Sequence, residues 1–191
     1  MDVTIEKEHE KKFEFVLEGV SHAFANAIRR YAMNRVPIMA IDKVLFYDNT
    51  SSIFDEYIAH RIGLIPLKTP SKLSENAEVT LSLDQTGPKM VYSGDFKSSD
   101  SQIVQAIDAI PVFTLLDGQR LVLEGKAVVG LGNRHAKFQS GIVAYKFDKD
   151  KFHFKVEGIY HMPVREIIIR ACNEFENDLD NLSKLLKKKA K

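Results

Sequence analysis

Phe13, Phe15 and Leu17 alternate with Glu14, Val16 and Glu18, a period of two that predicts a half-buried strand, broken by Gly19 and Val20. Ser21 stands where a helix N-cap belongs. Residues 22–34 then predict a helix whose apolar face is Phe24, Ile28, Tyr31 and Ala32, with small Ala23 and Ala27 beside it. Pro37 ends this element, because the residue before a proline is pushed towards extended geometry, and 41–47 predicts a second strand. Polar turn residues at 48–52 lead into a short helix over 54–62, with Gly63 as its stop.

From 79 to 147 the chain is strand-rich and punctuated by glycine. Val79, Leu81 and Leu83 alternate, and 121–129 predicts a longer strand entered from the turn at Asp117 and Gly118. A short helix is expected over 101–108. Tyr145 and Phe147 on one side of residues 148–151, with Phe152, Phe154 and Val156 on the other, predict a hairpin. A long helix over 164–186 follows Pro163. In it Ile168, Cys172, Phe175, Leu179, Leu182 and Leu186 are spaced four, three, four, three, four, a heptad seam suited to helix-on-helix packing. Ile167, Ala171 and Leu185 add apolar positions on adjoining sides. The pattern implies an α+β fold in which 1–48 and 148–191 form one discontinuous domain and 49–147 an inserted, β-rich one.

Lys and Arg total 27 against 26 Asp and Glu, so the net charge of +1 argues against a dedicated nucleic-acid binder, which needs a basic excess to neutralise phosphates. The single cysteine, Cys172, excludes an intramolecular disulfide and any cysteine-rich zinc or iron–sulfur site. Cys172 itself, in the seam, is expected to be a small core residue. Residues 1–12 read as a charged run without an apolar signal core, and no apolar stretch reaches membrane-spanning length. A soluble, cytoplasmic chain is the expectation.

Three segments resemble the alpha-like subunits of multisubunit DNA-dependent RNA polymerases, the family that holds the archaeal D-type subunits, bacterial alpha and the third-largest eukaryotic subunits. The first is Asn26-Ala27-Ile28-Arg29-Arg30 with Val36-Pro37-Ile38-Met39-Ala40-Ile41. The second is Asn49-Thr50-Ser51, Asp55-Glu56 and Ala59-His60-Arg61-Ile62-Gly63-Leu64-Ile65-Pro66-Leu67, which resembles the archaeal and eukaryotic members. The third is Gly130-Leu131-Gly132-Asn133-Arg134-His135-Ala136-Lys137-Phe138. Each is weak alone; their order and spacing carry the signal.

The resemblance implies a dimerisation domain interrupted by a β-rich insert, and a non-catalytic assembly role. It implies an obligate heterodimer with a small alpha-like subunit (archaeal L), then recruitment of the second-largest catalytic subunit and of two small zinc-bearing subunits (N and P). DNA would be met only through the complex, and no membrane is involved. The dimer interface is expected at Phe24, Ile28, Tyr31, Ile168, Cys172, Phe175, Leu179 and Leu182. The large-subunit interface is expected at Asn26, Arg29, Arg30, Met33, Val36, Pro37, His60, Arg61, His135 and Lys137. No cofactor is expected: the iron–sulfur segment and zinc loop of some relatives have no cysteines to build them here.

Two other readings compete. Glu56 and His60, four apart on a helix, could with His135 form a metallohydrolase site, although a zincin would require a second histidine where Glu56 stands. His135 and Lys137 lack a matched nucleophile for acid–base work. A stand-alone homodimeric nucleic-acid-binding regulator is the other rival; the lysines at 187–189 and 191 read as a solvated helix end that suits the dipole.

Overall fold

The computed structural model describes residues 1–74 and 76–189. In chain order the elements are β1 (Asp2–Glu8), β2 (Lys12–Glu18), α1 (His22–Asn34), β3 (Ile38–Asn49), α2 (Asp55–Gly63), β4 (Glu78–Thr86), β5 (Lys89–Tyr92), β6 (Lys97–Ser98), β7 (Pro111–Leu115), β8 (Arg120–Gly130), β9 (Gly141–Asp148), β10 (Lys151–Gly158) and α3 (Val164–Lys189). They form a mixed α+β structure with antiparallel sheets, as the periodicities predict. Lys191, read as part of the basic end, lies outside the described residues.

Two compact units result: Met1–Val36 with the chain from Leu131 onward, and Pro37–Gly130. These limits differ from the sequence boundaries at 48/49 and 147/148. β3 pairs with β8 along its whole length, from Ile38 opposite Gly130 to Asn49 opposite Leu121, so 38–48 belong to the second unit. β9 pairs with β10, which places 141–147 in the first. The β3–β8 ladder joins strands distant in sequence, which local pattern does not record, whereas the β9–β10 pair is a local hairpin that the boundary at 147/148 had cut.

In the first unit the antiparallel sheet has the order β1-β2-β10-β9. Its registers set Val3 opposite Leu17 and Ile5 opposite Phe15, then Phe15 opposite Phe154, and Phe154 opposite Tyr145. Because side chains alternate, one face therefore carries an apolar row across all four strands. Phe15 and Phe154 stack with ring centroids 4.8 Å apart. α1 and α3 pack on each other and on this sheet. The Ser21 hydroxyl caps α1 by accepting from the Phe24 N–H at 3.2 Å, satisfying one orphan donor of the first turn. Between β9 and β10 Lys149 and Asp150 both adopt left-handed φ (49° and 62°), the two-residue turn whose twist matches the strands.

β1 lies where the sequence predicts only a charged run. Every residue in it is exposed, and its charges mask the Val3/Ile5 alternation.

The second unit has a four-stranded sheet of order β3-β8-β4-β6 and a separate β5-β7 pair. Its core gathers Met39 and Ile41 from β3, Ile58 and Ile62 from α2, Leu81 and Leu83 from β4, and Leu121 and Leu123 from β8, all buried. The expected helix over 101–108 is absent. Asp100 Oδ1 accepts from the Gln102 N–H at 2.8 Å, a local alternative to helical bonding. Further on, Lys68 N–H donates to Val104 O and Ala106 N–H to Pro66 O, both at 2.8 Å, and Leu67 bridges Gln105. This backbone bonds to a remote segment, so it is extended.

Candidate functional site

α3 has two apolar sides, and the first unit buries only one. Val164, Ile167 and Ala171 are buried, and Phe175 and Asp178 half-buried, all at three- or four-residue spacing. The heptad seam runs beside this line. Ile168 and Phe175 are half-buried and Cys172 is exposed, while Leu179 and Leu182 are 52% and 53% exposed and Leu186 is 62% exposed. Cys172 is thus not the core residue expected from the seam; its apolar neighbours still push its thiol pKa up by desolvation.

Where β1, α1 and α3 meet, the apolar row is left open. A depression of about 210 Å³ is lined almost wholly by apolar side chains, among them Val3, Ile5, Phe24, Ile28, Ile169 and Cys172. Ile28 is buried and forms its floor, so of the α1 residues expected to meet a partner it is reachable only through this opening. Val3 (57%) and Ile5 (43%) are the exposed rim. Val3, Ile5 and Ile169 are not among the positions expected from the sequence, and the structure brings them to this opening; the alternation in 2–6 was the available signal for the first two.

Phe24 and Tyr31 are engaged within the chain. Their rings lie 6.2 and 4.9 Å from that of Phe175. The Tyr31 hydroxyl donates to Asp178 Oδ2 at 2.9 Å, and Arg35 Nη2 donates to the same oxygen at 2.7 Å. These contacts hold α3 on α1 up to Asp178; beyond it every described side chain of the helix is exposed.

The residues expected to meet the second-largest catalytic chain fall in both units. In the first, Arg29 Nε and Nη2 both donate to Asn26 Oδ1 (3.1 and 3.0 Å), which folds Arg29 along the helix. Arg30 is exposed. Met33 is half-buried, and Val36 is only 1% exposed, so its side chain supports this surface from beneath rather than offering a contact. Against the end of α1 lies the loop 131–140. A Cβ on Gly132 would stand 2.2 Å from Met33 O, so only glycine permits this approach. The Ser140 hydroxyl donates to Ala32 O at 2.5 Å. His135 Nδ1 accepts from the Lys137 N–H at 3.1 Å, and the Lys137 ammonium lies 5.2 Å from the centroid of buried Phe138. The loop carries Arg134, His135 and Lys137, with His135 exposed.

In the second unit Pro37 precedes β3, and His60 and Arg61 lie exposed on α2. Arg61 Nη2 donates to Pro111 O at 2.9 Å. Both line a groove of about 380 Å³ with Tyr57, Leu64, Pro111 and Val112. Phe54 (81%), Tyr57 (55%) and Leu64 (50%) form an exposed apolar stripe along α2 that the local pattern does not single out.

Residues 14–179 match the RNA polymerase Rpb3/Rpb11 dimerisation domain. The chain belongs to that family. DNA-directed RNA polymerase subunit Rpo3 of Pyrococcus horikoshii is 47% identical over 152 residues, covering 76% of this chain and 59% of that protein. Rpo3 of Halobacterium salinarum is 43% identical over 146 residues, with 76% and 59% covered. Rpo3 of Methanocaldococcus jannaschii is 40% identical over 160 residues, with 83% and 82% covered. The chain spans about three fifths of the length of the first relatives it matches.

Glu56 and His60 fall in the second unit and His135 in the first. Among the described residues no three His, Cys, Asp or Glu side chains group so as to hold a metal ion. Among the described residues, too, no helix is long and apolar enough to cross a membrane.

Proposed function

We propose that this chain is a non-catalytic assembly component of a multisubunit DNA-dependent RNA polymerase. It pairs as a heterodimer with a smaller alpha-like subunit, the archaeal L type, and the pair is the platform for the second-largest catalytic subunit. One observation carries the reading: an open apolar strip runs from the Val3/Ile5/Ile169 depression along the α3 seam to Leu186. Apolar side chains following one another along one face in this way are what a permanent interface requires. A partner built on the same plan supplies helices to cover it.

Recruitment of the second-largest subunit uses Arg30, Met33 and the 131–140 loop in the first unit, and His60, Arg61 and the α2 groove in the second. The small zinc-bearing N and P subunits join this platform, and DNA is contacted only through the assembled enzyme. The chain brings no metal or cofactor of its own in this reading, having one cysteine in its whole sequence.

Co-expression tests the proposal. With an L-type subunit the chain is expected to form a one-to-one complex that captures the second-largest subunit from a third expression. A chain that stays unpaired in the presence of L defeats the reading.

A further inference from the structure

β1 ends the sheet of the first unit, so one of its two edges has no strand beside it. Alternate residues of such a strand turn their N–H and C=O groups away from the sheet, where water or another extended chain must bond them. The two halves of β1 treat that edge differently. Past Ile5 the register with β2 slips between Ile5 and Lys7, and Glu6, Lys7 and Glu8 surround the irregularity with charge. A bulge and a run of charged side chains are what keep a further strand off an edge. Residues 2–5, by contrast, hold an unbroken register, from Asp2 opposite Glu18 to Ile5 opposite Phe15. Val3, Thr4 and Ile5 are all β-branched, which favours extended backbone.

Each face of this regular half asks for a different side chain. On the helix side Val3 and Ile5 line the apolar depression together with Ile169 and Cys172 of α3. A strand bonded to the free edge sets its inward side chains beside Val3 and Ile5, at the mouth of that depression. On the other side the registers align Asp2, Glu18, Lys151 and Asp148 in one row across four strands. Lys151 bridges Glu18 at 2.7 Å and Lys146 bridges Asp148 at 3.6 Å. Among the described residues no cation bridges Asp2. A lysine or arginine at the next place in the row completes it. A covering helix meets only part of this demand, because its own N–H and C=O groups are bonded internally and leave the strand edge as it was. An extended segment meets all of it.

We propose that residues 2–5 are a docking edge for an extended segment of the smaller alpha-like subunit. The segment adds a fifth strand to the sheet, with apolar side chains beside Val3 and Ile5 and a lysine or arginine opposite Asp2. Four residues of strand pairing are marginal by themselves, so the segment must arrive tethered to a chain already held nearby. The depression at this edge is continuous with the strip assigned above to the heterodimer, which makes the smaller subunit the source. The inference therefore rests on the heterodimer reading.

Amide hydrogen exchange tests this, read residue by residue by NMR on the full chain, alone and in complex with an L-type subunit. In the chain alone, the amides of 2–5 that bond to β2 exchange slowly and the alternate ones exchange freely. Pairing is expected to slow the free set by about tenfold or more, which a helix laid over the depression does not do. Asp2→Lys is expected to weaken the heterodimer by about tenfold, and Asp2→Glu to leave it unchanged. Asp2 is exposed, so neither substitution disturbs the fold. Three results overturn the inference and leave the heterodimer reading standing. The free amides exchange in the complex as they did before; they become protected in the chain alone as its concentration rises, the mark of a second copy; or the heterodimer is indifferent to Asp2→Lys. A chain that does not pair with the L-type subunit at all overturns both.

Discussion

Arg35, the C-cap of α1, places Nη2 2.7 Å from Oδ2 of Asp178, a residue 143 positions further along the chain. Tyr31 donates its hydroxyl to the same oxygen, so a single carboxylate ties the last turn of α1 to the point where α3 leaves the body of the first unit. The Tyr31 hydroxyl and the Arg35 guanidinium hold the Asp178 carboxyl below the usual aspartate range. Burial, and then Asp178 itself, pushes the Tyr31 hydroxyl above the usual tyrosine range.

The clamp should therefore act across the neutral range and fail at both ends. Asp178, with a depressed folded-state pKa, contributes above its unfolded value and loses that contribution as pH falls through the folded one. Tyr31, with a raised pKa, contributes below its unfolded value and loses it as pH rises through the folded one. Asp178→Ala is expected to speed hydrogen exchange in 172–182 at pH 7. The difference from wild type should vanish in acid, measured by exchange mass spectrometry across pH.

Ile169 is 47% exposed at the opening of the apolar depression, so Ile169→Glu should cost the unpaired chain little. Buried against a partner, an unpaired carboxylate is costly, and pairing should fall by more than a hundredfold, about 3 kcal/mol or above. Thermal melting of the chain and pull-down with an L-type subunit report the two effects separately.

Arg30→Ala and Phe175→Ala should separate the two interfaces. Arg30 is exposed and off the seam, so its loss leaves the heterodimer intact and weakens capture of the second-largest subunit, by about 2–5 kcal/mol where the guanidinium is desolvated by its partner. Phe175 packs on Phe24 and Tyr31, so its truncation loosens α3 and weakens the heterodimer first, by about 1–3 kcal/mol. Binding measured separately with each partner checks the division.

Gly132→Ala should act on recruitment as well. The added methyl meets Met33 O, backbone that cannot swing aside, so the 131–140 loop must shift from the end of α1 and take His135 and Lys137 with it. Capture of the second-largest subunit is expected to drop while pairing with the L-type subunit is kept.

The purified chain should be colourless and free of stoichiometric zinc or iron. Elemental analysis after exhaustive dialysis checks this; one metal per chain would revive the reading built on Glu56 and His60.

Much of the first unit was legible along the chain. The spacing of Phe24, Ile28 and Tyr31 located α1 to the residue, because an amphipathic helix with a serine cap and a proline beyond it is specified within its own length. The β9–β10 hairpin was legible for the same reason, as strand alternation and a two-residue turn are local. The open apolar surface was only half legible. The seam from Ile168 to Leu186 announced an apolar stripe, but an apolar stripe looks alike whether the chain's own sheet or another molecule covers it.

What the sequence by itself determined, then, was α1, α2, the β9–β10 hairpin and α3 with their periodicity, and the motifs that carry the polymerase resemblance, all of which depend on neighbours a few residues apart. Tertiary structure decided which strands share a ladder, and so moved the unit boundaries to 36/37 and 130/131. It also decided that Val164, Ile167 and Ala171 face inward while Cys172, Leu179 and Leu182 face out, and that Ile28 and Val36 are buried beneath the surfaces they were expected to form. The physical reason is that burial is a property of what stands opposite a side chain. Arg35 and Asp178 meet across 143 residues, a pairing that no local pattern announces, and beyond it Leu179, Leu182 and Leu186 stand exposed.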